Sequence, residues 1–219
     1  MSEISGTKEY IFDAFVEMTS ALGYENVGMR DIAEKVGIKV ASIYNHFESK
    51  GKILEFAYDY YSKRQYDNRK PIDDVKKLIE TANAEEIING FNYTFETQDQ
   101  KKYVRMILIT KIIYMRLFQD PVANAMFDEI NKNNAEYVIS ILKHGIEVGR
   151  IKSNFDLETF ADILIGARQI MGIRSFADRN YAVGQLEQEK RILSLFSRIL
   201  STELEKSEPG NKEVKLDEN

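Results

Sequence analysis

Cysteine is absent from this 219-residue chain, and histidine occurs only twice. Without thiols, the sequence excludes disulfide frameworks, thiolate nucleophiles and metal sites with cysteine ligands. Two histidines are too few for a typical clustered metal site, so we expect no metal and no resident cofactor. An unidentified small-molecule effector remains compatible with this composition.

Long apolar runs are also missing. The most apolar stretch, MILITKIIYM, contains Lys111, and no stretch reaches the length that crosses a bilayer. The first residues, MSEISGTKEY, lack the basic start and apolar core of a signal peptide. Apolar residues make up 43% and charged residues 30% of the chain, as in ordinary globular proteins. We therefore expect a cytoplasmic protein with no membrane partner.

The net charge gives no clear indication of a partner. Its formal value of −5 argues against nucleic acid. Residues 28–52, however, contain five Lys or Arg and three Asp or Glu. Residues 1–66 contain eight Lys or Arg and ten Asp or Glu. Charge therefore neither supports nor excludes DNA binding.

Proline is scarce, with only three residues, and the twelve glycines lie mostly between segments of helical periodicity. This pattern predicts an all-α fold. Thr7 is placed to cap a first helix and Gly23 to end it. A short second helix ends before Gly37, and a third covers about residues 40–47. Ser49 is placed to cap a fourth helix.

Pro71 marks a junction after the charged stretch KRQYDNRKP. Beyond it, helical patterns cover residues 72–82, 84–97, 100–118, 121–149, 157–179 and 184–205. We predict one domain at 1–66, including a fourth connecting helix, and a second, helical domain at 67–205. The polar stretch 206–219 is predicted to be a disordered tail.

Two short helices joined by a three-residue turn, after a longer first helix, match the helix-turn-helix pattern. A helix of this length fits the major groove of DNA while its neighbours form a small core. Any small three-helix unit gives a similar pattern, so the spacing of particular residues is needed to sharpen the prediction.

The stretch GYENVGMRDIAEKVGIKVASIYNHFESKGKIL resembles the signature of the TetR family of transcriptional regulators. The matching elements are Gly23-Tyr24, Asp31-Ile32-Ala33, Gly37-Ile38, Tyr44-Asn45-His46-Phe47 and Ser49-Lys50. The match covers about 45 residues. It implies a TetR-like fold of about nine helices, with an N-terminal three-helix helix-turn-helix DNA-binding domain. It also implies a C-terminal helical domain for ligand binding and dimerisation.

The sequence departs from the family pattern at three places. Val27 and Gly28 stand where the family has two hydroxyl residues before helix 2. Lys39 replaces a serine before helix 3, and Gly51 and Lys52 replace acidic residues after Ser-Lys. These changes bear on the preferred DNA sequence and leave the DNA-binding interpretation in place.

The residues of helix 3 divide into a core side and a DNA side. Ile43 and Phe47 are expected in the core. Tyr44 is either a half-buried core aromatic or, as the resemblance implies, a phosphate donor. Lys50, at the start of a helix, is a second candidate for a phosphate contact. Arg30 is a third, although it could instead form an ion pair with Glu34, four residues later in the chain. His46 is either a phosphate neighbour or a helix-end residue.

Base reading is expected from the outward residues of helix 3. Lys39 could reach guanine and Asn45 could pair with adenine. Val40 or Ala41 could contact a thymine methyl group, and Ser42 completes the set. The sequence does not show which base each residue reads.

The last two helices predict a homodimer of the chain. On residues 157–179, one face is formed at helical spacing by Phe160, Leu164, Ala167, Met171 and Arg174. The apolar stripe on residues 184–205 is too broad for one contact face, so part of it is available to a twofold mate. The alternative is a monomer with a thick core.

The middle helices are rich in aromatics and methionine, which are usually core residues. TetR-family members often have a ligand cavity in this part, with apolar walls and a few polar anchors. The resemblance therefore implies a largely hydrophobic or aromatic ligand. The candidate ligand-binding residues are Tyr103, Tyr114, Phe118, Asn134, Tyr137, His144, Arg168 and Met171.

These observations predict a repressor that binds a palindromic DNA operator as a dimer and is released by a small ligand. An activator is also possible, because the sign of regulation depends on operator position. A ligand-independent architectural or division-type DNA-binding protein is the main alternative. An enzyme is disfavoured, because the sequence has no P-loop, no Gly-x-Ser-x-Gly motif and no histidine cluster.

Overall fold

A computed structural model describes residues 6–66, 69–91, 99–177 and 179–204 of the chain. Several predictions fall partly or wholly outside these residues. They are the tail at 206–219, the last part of the helix predicted at 84–97, one residue each of the helices predicted at 157–179 and 184–205, and the domain boundary at residue 67.

The described residues form ten α-helices and one short 3-10 helix, and they contain no β-strand. This confirms the all-α prediction, which expected about nine helices. The helices are α1 (Thr7–Leu22), α2 (Met29–Val36), α3 (Val40–Tyr44), α4 (Lys50–Arg64), α5 (Ile72–Thr81), α6 (Ala84–Gly90), α7 (Gln100–Arg116), α8 (Pro121–Glu147), α9 (Leu157–Ala177) and α10 (Arg179–Glu203). The 3-10 helix, Tyr24–Asn26, lies between α1 and α2.

The helices divide into two compact units. The first unit contains α1–α4, α7 and the part of α8 up to Lys132. The second unit contains α5, α6, the rest of α8, α9 and α10. These units are defined by packing, whereas the domains at 1–66 and 67–205 were predicted by role. That division by role stays a prediction.

Helix ends test the capping predictions. Gly23 ends α1 with a φ of 85°, and the Ser49 hydroxyl caps α4 by accepting a hydrogen bond from the Lys52 amide at 3.2 Å. Both predictions are confirmed. The Thr7 cap is wrong, because the helix already includes Thr7 and the cap position falls on Gly6, which has no side chain. The third helix is also shorter than predicted, since it ends at Tyr44.

The core of the first unit joins α1 and α4 to α7. Ile11, Phe12 and Phe15 of α1 are fully buried, as are Ile53 of α4 and Ile109 of α7. In α1, Phe15 follows Phe12 by three residues and Ile11 by four, so these side chains share a face of the helix. The first unit thus extends beyond the helix-turn-helix to include a helix some fifty residues later in the chain.

The second unit packs α5 and α6 against α8, α9 and α10. Gly145 of α8 permits a close approach, because a Cβ there would lie 2.7 Å from Ile151 and 2.8 Å from Ile79. Phe160 of α9 packs edge-on against Phe196 of α10, with ring centroids 5.2 Å apart. A larger residue at Gly145 would therefore disturb the packing of α5 on α8.

The apolar row that the sequence placed on the dimer face of α9 packs inside the second unit. Phe160, Leu164 and Met171 are all buried there. A second row, Ile163, Ile170 and Ile173, is exposed instead. Helical periodicity correctly predicted that α9 is an apolar helix. It could not tell which of the two apolar rows of α9 is covered by the other helices of the second unit.

A buried ion-pair network joins α7 to α1. The Arg105 side chain is 4% exposed; its Nε donates to Asp13 Oδ1 at 2.7 Å and its Nη2 to Glu9 Oε1 at 2.8 Å. Its Nη1 donates to the Tyr60 hydroxyl at 3.2 Å. Burial opposes the charge, but the hydrogen bond to Glu9 and the other bonds keep the pKa of Arg105 above its usual range.

Lys101 binds the same two carboxylates from the solvent side. Its ammonium lies 2.9 Å from Glu9 Oε1 and 2.9 Å from Asp13 Oδ2, and its side chain is 53% exposed. Hydrogen bonds from Lys101 and Arg105 hold the pKa of Glu9 below its usual range. Two cations therefore neutralise the same acids, one buried and one exposed.

This difference in burial leads to a stability prediction. Arg105→Met should lower the free energy of unfolding by about 3 kcal/mol, because it removes the buried partner of two carboxylates. Lys101→Met removes an exposed partner of the same acids and should cost less than about 1 kcal/mol. Urea denaturation of the full chain at neutral pH measures both. Equal losses of stability in the two variants would contradict the assigned role of burial.

Candidate nucleic-acid interface

The turn between α2 and α3 is built by local hydrogen bonds. Gly37 has a φ of 76°, a left-handed conformation that glycine adopts without strain. The Gly37 amide donates to Glu34 O at 3.1 Å, and the Ile38 amide donates to Ala33 O at 3.0 Å. This pair of bonds closes the C-terminus of α2 and redirects the chain into α3.

The start of α2 is stabilised by its own third residue. The Gly28 amide donates to Asp31 Oδ2 at 2.7 Å. Gly28 has no side chain to return a bond, so only one half of a capping box is present. The departure from the family pattern at Gly28 therefore costs one capping bond.

The core side of the helix-turn-helix is as predicted. Ile32 and Ile43 are fully buried and Phe47 is 5% exposed. The amides of His46 and Phe47 both donate to Ile43 O, at 2.8 and 2.9 Å. These bonds turn the chain after Tyr44 and direct Phe47 inward, although it lies beyond the end of α3.

The predicted DNA-contacting residues lie mainly on the outer side of this unit. The Tyr44 side chain is 52% exposed, so it is not a core aromatic. The backbone turn leaves Asn45 and His46 exposed as well. Exposed residues in the predicted set also include Arg30, Lys39 and Ala41, whereas Val40 and Ser42 are half-buried.

Two cations on this side have no acidic partner among the described residues. Arg30, in the first turn of α2, does not form the alternative pair with Glu34, and Lys39 precedes α3 without an ion pair. By contrast, Lys35 pairs with Glu17 at 3.3 Å. The positive charges of Arg30 and Lys39 are therefore available to an external anion.

Lys50 is engaged inside the first unit. Its ammonium donates to Tyr24 O at 2.8 Å and lies 4.0 Å from the centroid of the Tyr24 ring. The side chain is half-buried. Sequence reasoning placed Lys50 beside DNA but missed this contact, because Tyr24 lies 26 residues earlier in the chain.

Lys8 is a further cation that sequence reasoning missed. Its ammonium lies 5.1 Å from the ring centroid of Phe47 and 5.0 Å from that of Phe56. The first turn of α1 therefore lies beside the end of the α3 region. Only the packing of α1 on α4 reveals this, since no local pattern links residue 8 to residue 47.

The predicted ligand-binding residues are divided between the two units. Tyr103, Tyr114 and Phe118 belong to the first unit. The Tyr114 ring packs edge-on against Phe127 with centroids 5.8 Å apart, and burial raises the pKa of Tyr114 to about 12. The Phe118 side chain is 93% exposed, so the first unit does not enclose it.

The other candidates lie in the second unit, where several hold α5 and α6 in place. The Tyr137 hydroxyl donates to Lys70 O at 2.9 Å, just before α5. His144 Nε2 lies 2.9 Å from Glu80 Oε1. Arg168 Nη1 donates to Phe91 O at 3.0 Å, just after α6. These polar groups therefore have structural contacts; of the remaining candidates, Met171 is buried and Asn134 is half-buried.

The described residues contain no group of three or more His, Asp or Glu side chains that could hold a metal ion. No described helix is long and apolar enough to span a membrane.

The N-terminal helices match a family model. Residues 11–56 match the model of bacterial regulatory proteins of the tetR family. This range runs from α1 through the helix-turn-helix into the first half of α4. It contains all the predicted DNA-contacting residues and none of α7.

Two curated regulators are similar to the chain over different lengths. The HTH-type transcriptional regulator SrpR of Pseudomonas putida is 21% identical over 165 residues, which are 75% of this chain and 73% of SrpR. The HTH-type negative transcriptional regulator IcaR of the biofilm operon icaADBC of Staphylococcus aureus is 44% identical over 48 residues. That stretch is 22% of this chain and 26% of IcaR, so the chain matches only about a quarter of IcaR's length.

A solved structure has a similar fold over most of the length of this chain. The TetR-family transcriptional regulator from Cytophaga hutchinsonii superposes with a TM-score of 0.61 and 16% sequence identity. The superposition covers 94% of this chain and 100% of that one. At this identity the likeness shows the fold alone. Residues 11–56 therefore match the TetR family of bacterial transcriptional regulators, and 94% of the chain shares the fold of a regulator of that family.

Proposed function

We propose that the chain is a repressor that binds a palindromic DNA operator as a twofold dimer and is released by a small, largely hydrophobic ligand. The observation that carries the DNA-binding part is the two-sided helix-turn-helix. Its inner side buries Ile43 and Phe47, while its outer side presents Lys39 and Asn45 to solvent. Transcriptional regulators of this family are DNA-binding proteins rather than enzymes.

The outer side offers two kinds of contact. Arg30 and Tyr44 are suited to phosphates, because they are exposed and carry a guanidinium and a phenol. Lys39 is suited to guanine and Asn45 to adenine, because their groups match the major-groove edges of these bases. Contacts of the first kind hold the protein on any DNA, and contacts of the second kind select a sequence. We therefore place the protein in the bacterial cytoplasm, where its DNA operator lies.

Repression is the direction of control that the comparisons favour. IcaR, which is 44% identical over 48 residues, is a negative regulator. An activator differs from a repressor in where the operator lies relative to the promoter, and transcription measured from the native promoter distinguishes the two.

The dimer is supported by an exposed apolar stripe on the last two helices. Ile163, Ile170 and Ile173 are 59%, 53% and 41% exposed on α9, and their spacing keeps them on one face of the helix. On α10, Leu195 and Ile199 are 46% and 40% exposed and lie four residues apart. Dimers are common in this family, and a twofold dimer presents two recognition helices to a palindrome.

Release by a ligand follows from a population shift. A ligand weakens DNA binding only if it binds the released state more tightly than the DNA-bound state. Small ligands are bound by members of this family, and the aromatic-rich middle helices are consistent with an apolar ligand. The ligand-independent architectural or division-type binder is the second candidate, and a ligand screen that never changes operator affinity would favour it.

The central test is selection of bound DNA from a random pool by the full chain. We expect a palindromic consensus, with binding that fluorescence anisotropy detects at physiological salt and that strengthens as salt is lowered. Failure to bind any DNA at low salt would refute the proposal.

Replacing Arg30 tests the phosphate contacts. Arg30→Gln should weaken binding to all DNA sequences and reduce the slope of log K against log salt by about 0.9 for each phosphate that is no longer neutralised. Lys35→Gln is the matched control, because Lys35 is on the same helix but pairs with Glu17. If both variants changed the slope equally, general charge rather than a specific contact would be responsible.

Replacing Asn45 tests base reading. Asn45→Ala should reduce discrimination at one base pair of each half-site by about 1–3 kcal/mol, because a bidentate hydrogen-bond pair is removed. Binding to non-specific DNA should stay unchanged. Selection of bound DNA with the variant measures both effects, and an unchanged consensus would remove Asn45 from the reading residues.

A charge on α9 tests the dimer. Ile170→Glu should raise the dimer dissociation constant at least about tenfold, because a twofold axis places the charge in the interface twice. Val148→Glu is the control, since Val148 is 44% exposed in the same unit but lies outside α9 and α10. Sedimentation equilibrium measures both variants. A monomeric wild type, or equal effects, would reject this interface.

A further inference from the structure

We infer that Tyr24 and Arg116 are positioning residues for DNA binding. In this arrangement, Arg116 of α7 holds the Tyr24 ring, and Tyr24 holds the ammonium of Lys50 beside the DNA-facing side. The inference rests on the proposed function and adds a residue of α7, which lies outside the stretch that matches the family model.

Tyr24 occupies a fixed place at the entrance to the helix-turn-helix. It begins the 3-10 helix between α1 and α2, and its ring packs edge-on against Phe15 with centroids 6.4 Å apart. Burial raises the pKa of Tyr24, which is consistent with a partly enclosed ring. The ring and the backbone carbonyl of Tyr24 therefore form a stable acceptor surface for cations.

Lys50 uses both parts of that surface. One proton of its ammonium goes to Tyr24 O at 2.8 Å, and the charge lies 4.0 Å from the ring centroid. An ammonium has three protons, so two remain for a phosphate. A flexible lysine side chain that is already ordered loses less conformational entropy when it binds. Tyr24 thereby prepares Lys50 to bind DNA.

Arg116 contacts the same ring from α7. The centre of its guanidinium lies 4.2 Å from the Tyr24 ring centroid, and its Nη1 lies 3.4 Å from Glu25 Oε1. Its Nε donates to Asp120 Oδ2 at 3.0 Å. The two acids offset the charge of Arg116, which reduces its repulsion of Lys50.

Asp120 fixes Arg116 in turn. Its carboxylate accepts hydrogen bonds from the Tyr58 hydroxyl and the Val122 amide, each at 3.0 Å. Burial acts against its charge, but the bond from Arg116 and the others keep the pKa of Asp120 below its usual range. The contacts therefore run without a gap from the end of α7 through Tyr24 to Lys50.

The arrangement makes the end of α7 a control point for DNA affinity. If Arg116 leaves the ring, Tyr24 keeps only one of its two cations and Lys50 is held less firmly. Affinity then falls although no DNA-contacting residue has changed. Loss of the Arg116 contact differs from removal of the Lys50 ammonium. When Arg116 is lost, the number of phosphate contacts stays the same.

DNA binding by variants of the full chain tests this inference. Lys50→Met should weaken binding and lower the salt slope by about 0.9 for each phosphate that is no longer neutralised. Tyr24→Leu and Arg116→Met should each weaken binding by up to about tenfold with the slope unchanged. Tyr24→Phe keeps the ring and should bind like the wild type. Tyr24→Leu added to Lys50→Met should weaken binding no further.

Arg64→Met is the matched control. Its guanidinium lies 4.1 Å from the Tyr60 ring on α4, so the variant removes the same kind of cation–ring pair elsewhere in the first unit. It should leave DNA affinity unchanged. Additive effects of Tyr24→Leu and Lys50→Met, or weakening by Arg64→Met equal to that by Arg116→Met, would overturn the inference.

A measurement without DNA separates this inference from the proposed function. Acetic anhydride labelling, read by mass spectrometry, should modify Lys50 faster in Tyr24→Leu and in Arg116→Met than in the wild type. Labelling of Lys63, on the same helix and paired with Asp59, should not change. Faster Lys50 labelling together with no DNA binding by the wild type would reject the proposed function and leave the chain of contacts supported. Unchanged Lys50 labelling in both variants would overturn the inference.

Discussion

The first unit depends on one buried charge, the guanidinium of Arg105. It lies between α7 and α1 and is neutralised by Asp13 and Glu9, with Tyr60 of α4 as a further acceptor. A buried cation without partners would be too costly to keep, so these helices must meet in one register. The helix-turn-helix is thereby built onto α7, a helix from a distant part of the chain.

A second polar connection lies about three turns further along α7. Arg116 joins Asp120, Glu25 and Tyr24, and the apolar residues Ile109 and Ile112 fill the space between the two arginines. Both ends of α7 are therefore fixed by charges, and its middle by burial. A change at either end alters how the DNA-facing side is held, without any change in the residues of that side.

In the second unit, residues predicted to bind a ligand instead make contacts that stabilise the fold. Tyr137, His144 and Arg168, which were predicted as ligand-binding residues, use polar atoms to hold the segments around α5 and α6. The exposed isoleucines of α9, like Leu195 and Ile199 of α10, are apolar residues that the described helices of this unit leave uncovered. A ligand that displaced one of these polar contacts would loosen α5 or α6.

Sequence reasoning succeeds for the features that depend on neighbouring residues. The α2–turn–α3 arrangement, the left-handed Gly37, the Ser49 cap and the inward Ile43 all follow from local backbone preferences and periodicity, which short-range contacts satisfy. Thr7 failed as a cap because Thr7 is itself the first residue of α1, which leaves Gly6 at the cap position. Long-range packing instead sets which row of α9 is covered, what Lys50 binds and where the charge of Arg105 is neutralised. These outcomes depend on partners up to about ninety residues away, and no local pattern carries that information.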